Sequence, residues 1–298
     1  MLTHPRRRTG VDLALLAVAA GWGSSYLAAK EVITPGGEFG FLTVRFALAS
    51  AALAVLLAPR LRQITRAELV LGAFFGTMLS VILALETFGV TRTSASNAGL
   101  IIALTIVLTP LLEQVVRRTR LPPTFYGAAA VAVVGVAVLT QGTGFGAPGL
   151  GDLLILLAAV ARAVHVTVIA HLSERRTLDS ARVTLVQLST ALAVFALLST
   201  FSGHGVDEVA GQLSLRGWLL TAYLALVCTV FAFVIQMWAV RRTSPTRVTL
   251  LLGTEPLWAA AVGVLLAGDA VTAVGVAGAV LILVGINRAR SIDARAPR

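Results

Sequence analysis

The chain has 298 residues, of which 57% are hydrophobic and only 13% are charged, and its mean hydropathy is +0.89. Soluble domains carry roughly a quarter charged residues, so this composition excludes a water-soluble globule and predicts an all-α integral membrane protein. The net charge of +10 would suit a nucleic-acid partner only if it were gathered on one face.

Stretches long and apolar enough to span a hydrocarbon core of ~30 Å recur along the whole chain. We predict ten of them, over residues 11–30, 38–58, 67–89, 93–116, 121–141, 150–171, 181–202, 214–240, 244–267 and 270–288. Short breaks rich in Gly, Pro or charge separate them, such as TPGG at 34–37, LPP at 121–123 and GFGAPGLG at 144–151. The first stretch has full spanning length, so we expect a retained helix rather than a cleaved signal peptide.

The 24 basic residues sort sharply between the two sides of these spans. The side of the N-terminus receives 19 of them: Arg6, Arg7, Arg8, Arg60, Arg62, Arg66, Arg117, Arg118, Arg120, Arg175, Arg176, Arg182, Arg241, Arg242, Arg247, Arg288, Arg290, Arg295 and Arg298. The other side receives Lys30, Arg92 and Arg216, and two more lie within spans. The positive-inside rule therefore predicts a plasma (inner) membrane protein with cytoplasmic tails at 1–10 and 289–298. The charge reports topology, and we expect no nucleic-acid partner.

The ten spans divide into two halves of five, residues 11–141 and 150–288. An offset of 150 residues aligns four features of these halves: Arg92-Thr93-Ser94 with Arg242-Thr243-Ser244, Glu86 with Gln236, Phe88 with Trp238, and Gly135 with Gly285. Thr109-Pro110 falls opposite Glu255-Pro256 only after a gap of four residues, about one helical turn. Because five is odd, the halves would enter the membrane in opposite orientations, as inverted repeats do in secondary transporters.

Ionisable groups inside the spans are the candidates for function, because they are costly there unless they face a cavity or each other. The strongest is Glu255, directly before Pro256, since proline kinks a helix and frees a carbonyl. Pro110 is the other predicted kink. We expect Glu255 to bind a cation or an amine or to carry a proton, or to form an ion pair with Arg162. Glu113 is interpreted as a surface partner of Arg117 and not as part of the site.

Arg45 and Glu86 fall in the outer third of the second and third spans. They either form an ion pair, in which case reversing both charges should restore function, or they line the outer mouth. Their repeat partners, Gln187 and Gln236, carry neutral amides at the opposite depth. Gln236 is therefore also a candidate for the site.

Arg162 and His165 are three residues apart and share one face of the sixth span. A histidine can titrate near neutral pH and suits a proton relay, although packing is an equal alternative. In the first span, WGSSYLAAK places Trp22 too deep for an interfacial aromatic belt. We expect the Trp22 ring and the Ser24 hydroxyl to line a wet cavity, with close helix packing as the alternative.

Six segments in order resemble the EamA type of the drug/metabolite transporter superfamily. They are WGSSYLAAK at 22–30, VRFALA at 44–49, TSASNAGLIIALTIVLTPLL at 93–112, GDLLILLAA at 151–159, QMWAVRRTSPTRVTLLLGTEPLWAA at 236–260 and GAVLILVG at 278–285. Trp22, Ser24, Arg45 and Glu255-Pro256 match residues of the family's motifs. Arg162 departs from the family, where many members carry an aromatic or small residue.

This resemblance implies an alternating-access carrier, proton-coupled or exchange-driven, with spans one to four and six to nine around a central cavity. Members export amino acids, other metabolites or toxic compounds. We therefore predict an exporter of a small metabolite such as an amino acid, with no cofactor, no metal, and the bilayer and protons as partners. The uncharged fifth and tenth spans are expected either to pack at the periphery or to form a homodimer. Efflux of lipophilic cations is the alternative. An intramembrane hydrolase using Ser24 or Ser25 with His165 is a remote one, because no GxSxG or HExxH motif is present.

Overall fold

In the computed structural model of the protein, helices are the regular secondary structure of the described residues, which are 5–93, 95–118, 121–141, 149–174, 176–202, 205–267 and 272–295. No strand occurs in these ranges. Several residues used above lie outside the description: residues 144–148, Ser94, Arg120, Arg175 and Arg298, together with the side chains of Arg6, Arg7, Arg8, Arg290 and Arg295. The expectation of an all-helical chain is confirmed.

Fourteen α-helices follow one another along the described chain. They are α1 (Pro5–Val32), α2 (Glu38–Leu56), α3 (Arg66–Val90), α4 (Ala95–Ile102), α5 (Thr105–Arg117), α6 (Pro123–Gln141), α7 (Leu150–Ser173), α8 (Ser180–Ser199), α9 (Val206–Gln212), α10 (Leu215–Ala225), α11 (Ala232–Val240), α12 (Pro245–Leu252), α13 (Glu255–Val262) and α14 (Ala273–Arg295). A 3₁₀ helix at Ala58–Gln63 follows α2, and π-helical turns at Leu226–Phe231 and Gly263–Ala267 follow α10 and α13.

Seven stretches of the described chain are long and apolar enough to cross a membrane. They are Gly10–Val32, Glu38–Leu56, Arg66–Val90, Leu150–Ser173, Ser180–Ser199, Leu215–Val240 and Pro245–Leu266. Large apolar side chains such as Val55, Phe201 and Leu265 are 75%, 81% and 79% exposed. So much exposed apolar surface would be unfavourable in water and suits contact with lipid. The count of ten spans stays a prediction.

Two helices that were predicted to be continuous, over 93–116 and 244–267, are each broken after eight residues. The first breaks at Ala103–Leu104 between α4 and α5, and the second at Gly253–Thr254 between α12 and α13. At both breaks the backbone tightens to a three-residue hydrogen bond, from Leu104 N to Ile101 O at 3.0 Å and from Thr254 N to Leu251 O at 3.2 Å. An offset of 150 residues aligns the start of α4 with that of α12, the first break with the second, and the start of α5 with that of α13.

The break at Gly253–Thr254 gives Pro256 a position that differs from the prediction. Pro256 is the second residue of α13, where its missing N–H costs no helical hydrogen bond, so it starts a helix and does not kink one. Pro110 lies inside α5, six residues beyond the break at Leu104. The structural counterpart of Glu255 is Thr105, which needs no gap in the alignment, and not Thr109.

The helices α6 and α14 pack against each other through Gly135 and Gly285. A Cβ on Gly135 would lie 2.6 Å from Ile282 N and 2.9 Å from Gly278 O. A Cβ on Gly285 would lie 2.6 Å from Ala132 N and 2.8 Å from Ala128 O. Since 128 and 132 become 278 and 282 at the same offset, the two contacts have the symmetry of a pseudo-twofold axis.

Ion pairs and hydrogen bonds gather at the two ends of the long helices. At one end, called the Asp12 end, are Asp12–Arg247, Glu68–Arg182 and Glu174–Arg117; at the other, the Asp152 end, are Asp152–Thr93, Glu31–Arg216 and Glu38–Arg92. Along α1, Asp12 and Glu31 are separated by ~29 Å of helix. The helix α1 begins at the Asp12 end, whereas α7 begins at the Asp152 end, so the two run in opposite directions.

We expect Gly135→Ala to destabilise the protein by about 1–3 kcal/mol, because the added methyl group collides with the backbone of α14. The matched control is Gly127→Ala in the same helix, where a Cβ meets nothing within 4 Å and better helix propensity should leave stability equal or higher. Thermal unfolding of the purified variants measures both. Equal midpoints for the two variants would contradict this account of the α6–α14 contact.

Candidate functional site

The guanidinium of Arg162, on α7, lies between two carboxylates from distant parts of the chain. Its Nη2 is 2.8 Å from Glu86 Oε2 on α3, and its Nη1 is 3.3 Å from Glu255 Oε2 on α13. The three side chains are 12%, 14% and 4% exposed. Charges so buried are stable only when they are paired. The pair between Arg162 and Glu255 considered from the sequence is therefore present, and Glu86 joins it.

Two aromatic residues of α1 hold this ion cluster in place. The Arg162 Cζ lies 4.7 Å from the centre of the Trp22 ring, a cation–π contact. Trp22 Nε1 donates a hydrogen bond of 2.8 Å to the carbonyl of Cys228, in the π-helical turn after α10. The Tyr26 hydroxyl donates to Glu255 Oε1. Trp22 and Tyr26 are four residues apart and therefore share one face of α1.

Glu255 reaches the cluster because the chain breaks immediately before it. It is the first residue of α13 and is 3% exposed. A carboxylate at a helix N-terminus is stabilised by the unpaired N–H groups and the dipole there. The break itself is tight, since a Cβ on Gly253 would lie 2.3 Å from Ile106 Cδ1 of α5. The two broken helices thus meet at their breaks.

A small cavity lies where the breaks meet. Its wall is formed by residues of both breaks, of α7 and of α11: Ile102, Ala103, Thr105, Ile106, Arg162, Val166, Gln236, Thr249, Leu252, Gly253, Glu255 and Pro256. Its volume of about 20 Å³ leaves room for a single water molecule. Any organic substrate would require the helices around it to move apart.

Arg45 does not pair with Glu86 in the described part of the chain, which corrects that hypothesis. Arg45 is buried, and its Nε donates a hydrogen bond of 3.0 Å to Thr229 Oγ1. Glu86 is drawn to Arg162, which lies between it and Glu255. A charge swap between Arg45 and Glu86 is therefore expected not to restore function, because the partner of Glu86 is Arg162.

Ser24 and His165 do not line the cavity, which corrects the expectation for Ser24 and agrees with the packing alternative for His165. The Ser24 hydroxyl shares a hydrogen bond of 2.5 Å with the Tyr223 hydroxyl of α10. The His165 ring packs edge-on against Phe75 of α3 at 6.2 Å between centroids, and its Nε2 has no hydrogen-bond partner among the described residues. Both side chains serve contacts between helices.

Sequence reasoning missed Tyr26 and Thr105 as site residues. Tyr26 was visible in the stretch WGSSYLAAK, one helical turn after Trp22. Thr105 was visible as the residue 150 positions before Glu255. Within the described ranges, no group of three or more His, Cys, Asp or Glu side chains is arranged to hold a metal ion.

The model of the EamA-like transporter family matches the chain twice, over residues 9–141 and 149–287. The chain belongs to the EamA-like transporter family. An uncharacterized transporter of Archaeoglobus fulgidus is 26% identical over 281 residues, or 94% of this chain and 85% of the relative. A probable terminal-alkyne amino-acid exporter of Streptantibioticus cattleyicolor is 26% identical over 275 residues, or 92% of this chain and 91% of the relative.

A crystal structure of another protein has the same fold, with a TM-score of 0.76 over 96% of this chain and 98% of its own, at 17% identity. EamA membership makes the protein a multi-pass membrane transporter and not an enzyme, as the sequence resemblance implied. The contacts of the three residues also do not form the dyad of the hydrolase hypothesis. Ser24 contacts Tyr223, Ser25 donates a hydrogen bond to the Trp22 carbonyl, and His165 contacts Phe75.

We expect Arg162→Gln to lower the free energy of unfolding by about 3–5 kcal/mol, because it leaves two buried carboxylates without a cation. Adding Glu86→Gln should recover part of this loss by removing one of them. The control is Arg216→Gln, which breaks a pair whose arginine is 77% exposed and should cost at most about 1 kcal/mol. An equal loss of stability in Arg162→Gln and Arg216→Gln would contradict the conclusion that Arg162 is held by two buried carboxylates.

Proposed function

We propose that this EamA-like transporter is a secondary active exporter of a small metabolite such as an amino acid, working by alternating access and driven by protons or by exchange. The observation that carries the proposal is the buried cluster of Arg162, Glu86 and Glu255 beside a cavity between two broken helices. Broken helices that meet near the midplane are the usual place of substrate sites in such carriers.

The ends of the broken helices favour an amino acid. The N-termini of α5 and α13 both border the cavity, at Thr105 and Glu255. Helix N-termini and the Arg162 guanidinium attract a carboxylate group. The carboxylates of Glu86 and Glu255 attract an ammonium group. A zwitterion would satisfy both kinds of group if it entered between Arg162 and one of its glutamates.

Alternating access is supported by the internal symmetry. The helices α1 and α7 run in opposite directions, and the broken helices coincide at an offset of 150 residues. We therefore propose ten spans arranged as two inverted repeats, 11–141 and 150–288. The gathering of Arg117, Arg182 and Arg247 at the Asp12 end supports a cytoplasmic location for that end and for both termini.

The Streptantibioticus relative supports export of an amino acid, because the probable activity in its name is of that class. Efflux of lipophilic cations is the second candidate. It is favoured by the presence of two carboxylates against one guanidinium in the cluster and by the rings of Trp22 and Tyr26. A lipophilic cation would have to displace Arg162 from the face of Trp22.

We expect Glu255→Gln to abolish coupled transport while the protein stays folded in the membrane, because the amide can neither carry a proton nor pair with an ammonium group. Transport of radiolabelled amino acids into proteoliposomes measures this, with Glu208→Gln on the exposed surface of α9 as the matched control. Unchanged transport by a well-folded Glu255→Gln protein would remove Glu255 from the mechanism.

The substrate class is tested by thermal shift of the wild type and of Glu255→Gln. Amino acids, sugars, nucleosides and lipophilic cations are each added at high concentration. A ligand at ~100 times its Kd stabilises a protein by ~2.7 kcal/mol. We expect stabilisation by amino acids that Glu255→Gln loses. Stabilisation by lipophilic cations alone would favour the second candidate.

A further inference from the structure

The short helix α12 is fastened to two other helices at its first turn. It begins at Pro245 and is capped by Ser244, whose hydroxyl accepts from Arg247 N at 3.2 Å. The two residues after Pro245 then bind carboxylates of α1 and α5. Both contacts lie at the Asp12 end, away from the ion cluster.

The first contact joins α12 to α1. Arg247 donates three hydrogen bonds to Asp12, from Nε at 3.1 Å and from Nη2 at 2.9 and 2.8 Å. The two side chains are only 16% and 14% exposed. Multiple parallel hydrogen bonds between a guanidinium and a carboxylate fix geometry as well as supplying energy.

The second contact joins α12 to α5. Glu113 Oε2 accepts from Thr246 Oγ1 at 2.7 Å and from Thr246 N at 3.1 Å. The other oxygen, Glu113 Oε1, forms the pair with Arg117 expected from the sequence, at 3.1 Å from Arg117 Nε. The carboxylate therefore accepts a hydrogen bond from a free N–H at the start of α12, and its negative charge interacts favourably with the dipole of that helix. Glu113 thus forms the ion pair with Arg117 that the sequence predicted, and it also binds the first turn of α12.

The other end of α12 forms the wall of the cavity. Thr249, Leu252 and Gly253 line it, and Leu252 is five residues from Arg247, or ~7.5 Å along the helix. Because the break at Gly253–Thr254 separates α12 from α13, α12 has a point at which it can pivot. Moving its first turn away from α1 and α5 would open the cavity toward the Asp12 end.

The opposite end of the molecule carries a related contact. The segments VDLALLA at 11–17 and GDLLILL at 151–157 align Asp12 with Asp152. Asp152 Oδ1 accepts a hydrogen bond of 2.6 Å from Thr93 Oγ1, which lies just before α4. In each half, an aspartate near the start of the first predicted span thus holds the chain near the start of the fourth span of the other half. Asp12 contacts the ninth predicted span, and Asp152 contacts the fourth.

We infer that Asp12, Arg247, Glu113 and Thr246 form the gate of the transport cycle at the Asp12 end, and that opening it requires breaking the Asp12–Arg247 ion pair. This inference rests on the proposed alternating access. The gate residues bind no substrate and act by positioning α12. The ion cluster and the gate are thus separate groups on the two sides of one pivot.

The test measures accessibility of the cavity from each face of the membrane. A reporter cysteine replaces Thr249, in a background where Cys228, which is buried, is changed to Ser. A membrane-impermeant maleimide is added to inside-out and to right-side-out vesicles without substrate. We expect Asp12→Asn and Arg247→Gln each to raise the labelling rate at least about fivefold, or ~1 kcal/mol, from one face only, the one predicted to be cytoplasmic.

The charge swap Asp12→Arg with Arg247→Asp should return labelling toward that of the parent, which separates pairing from a loss of folding. The control Arg216→Gln, at the Asp152 end, should leave labelling unchanged. Unchanged labelling in both single variants, a rise from both faces alike, or no recovery in the swap would each overturn the gate. The labelling test needs no substrate, so it is independent of the amino-acid proposal. If that proposal alone is wrong, amino-acid transport will be absent while the labelling pattern stays as expected.

Discussion

The structure depends on the cost of burying the charge of Arg162. A guanidinium this deep in a membrane protein persists only with partners, and three elements supply them: α3 gives Glu86, α13 gives Glu255, and α1 gives the face of Trp22. Residues of both halves of the chain therefore contact the side chain of Arg162. In the proposed transport cycle, a ligand that paired with one of these groups would release another.

The broken helices turn this cluster into a site. An unbroken helix satisfies its own backbone, whereas each break presents fresh N–H groups inside the protein. The breaks at Leu104 and Gly253 face each other, so α5 and α13 both begin at the cavity. Their meeting leaves space for about one water molecule, which makes movement of the short helices α4 and α12 the natural way to admit a substrate.

The contacts of α12 link that movement to the ends of the molecule. Its first turn is held by Asp12 and Glu113, and its last turn lines the cavity. The glycine contact between α6 and α14 is made by backbone atoms and apolar side chains, and it joins the two halves at their last helices. In the proposed transport cycle, the parts of the fold that move are held by polar contacts, which can exchange, and the part that stays fixed is held by close backbone packing.

The sequence alone determined what depends on local composition and period. Hydropathy located the long helices, and the cost of charge in lipid marked Arg162, Glu86 and Glu255 as important. Ordered motifs gave the family. Tertiary structure decided which groups meet: Glu86 with Arg162 and not with Arg45, Ser24 with Tyr223 and not with the cavity, and Tyr26 with Glu255, 229 positions away. It also placed the break at Gly253 and not at Pro256. These outcomes depend on competition for the same partner between side chains that are far apart in the chain. Such competition cannot be predicted from a segment of neighbouring residues.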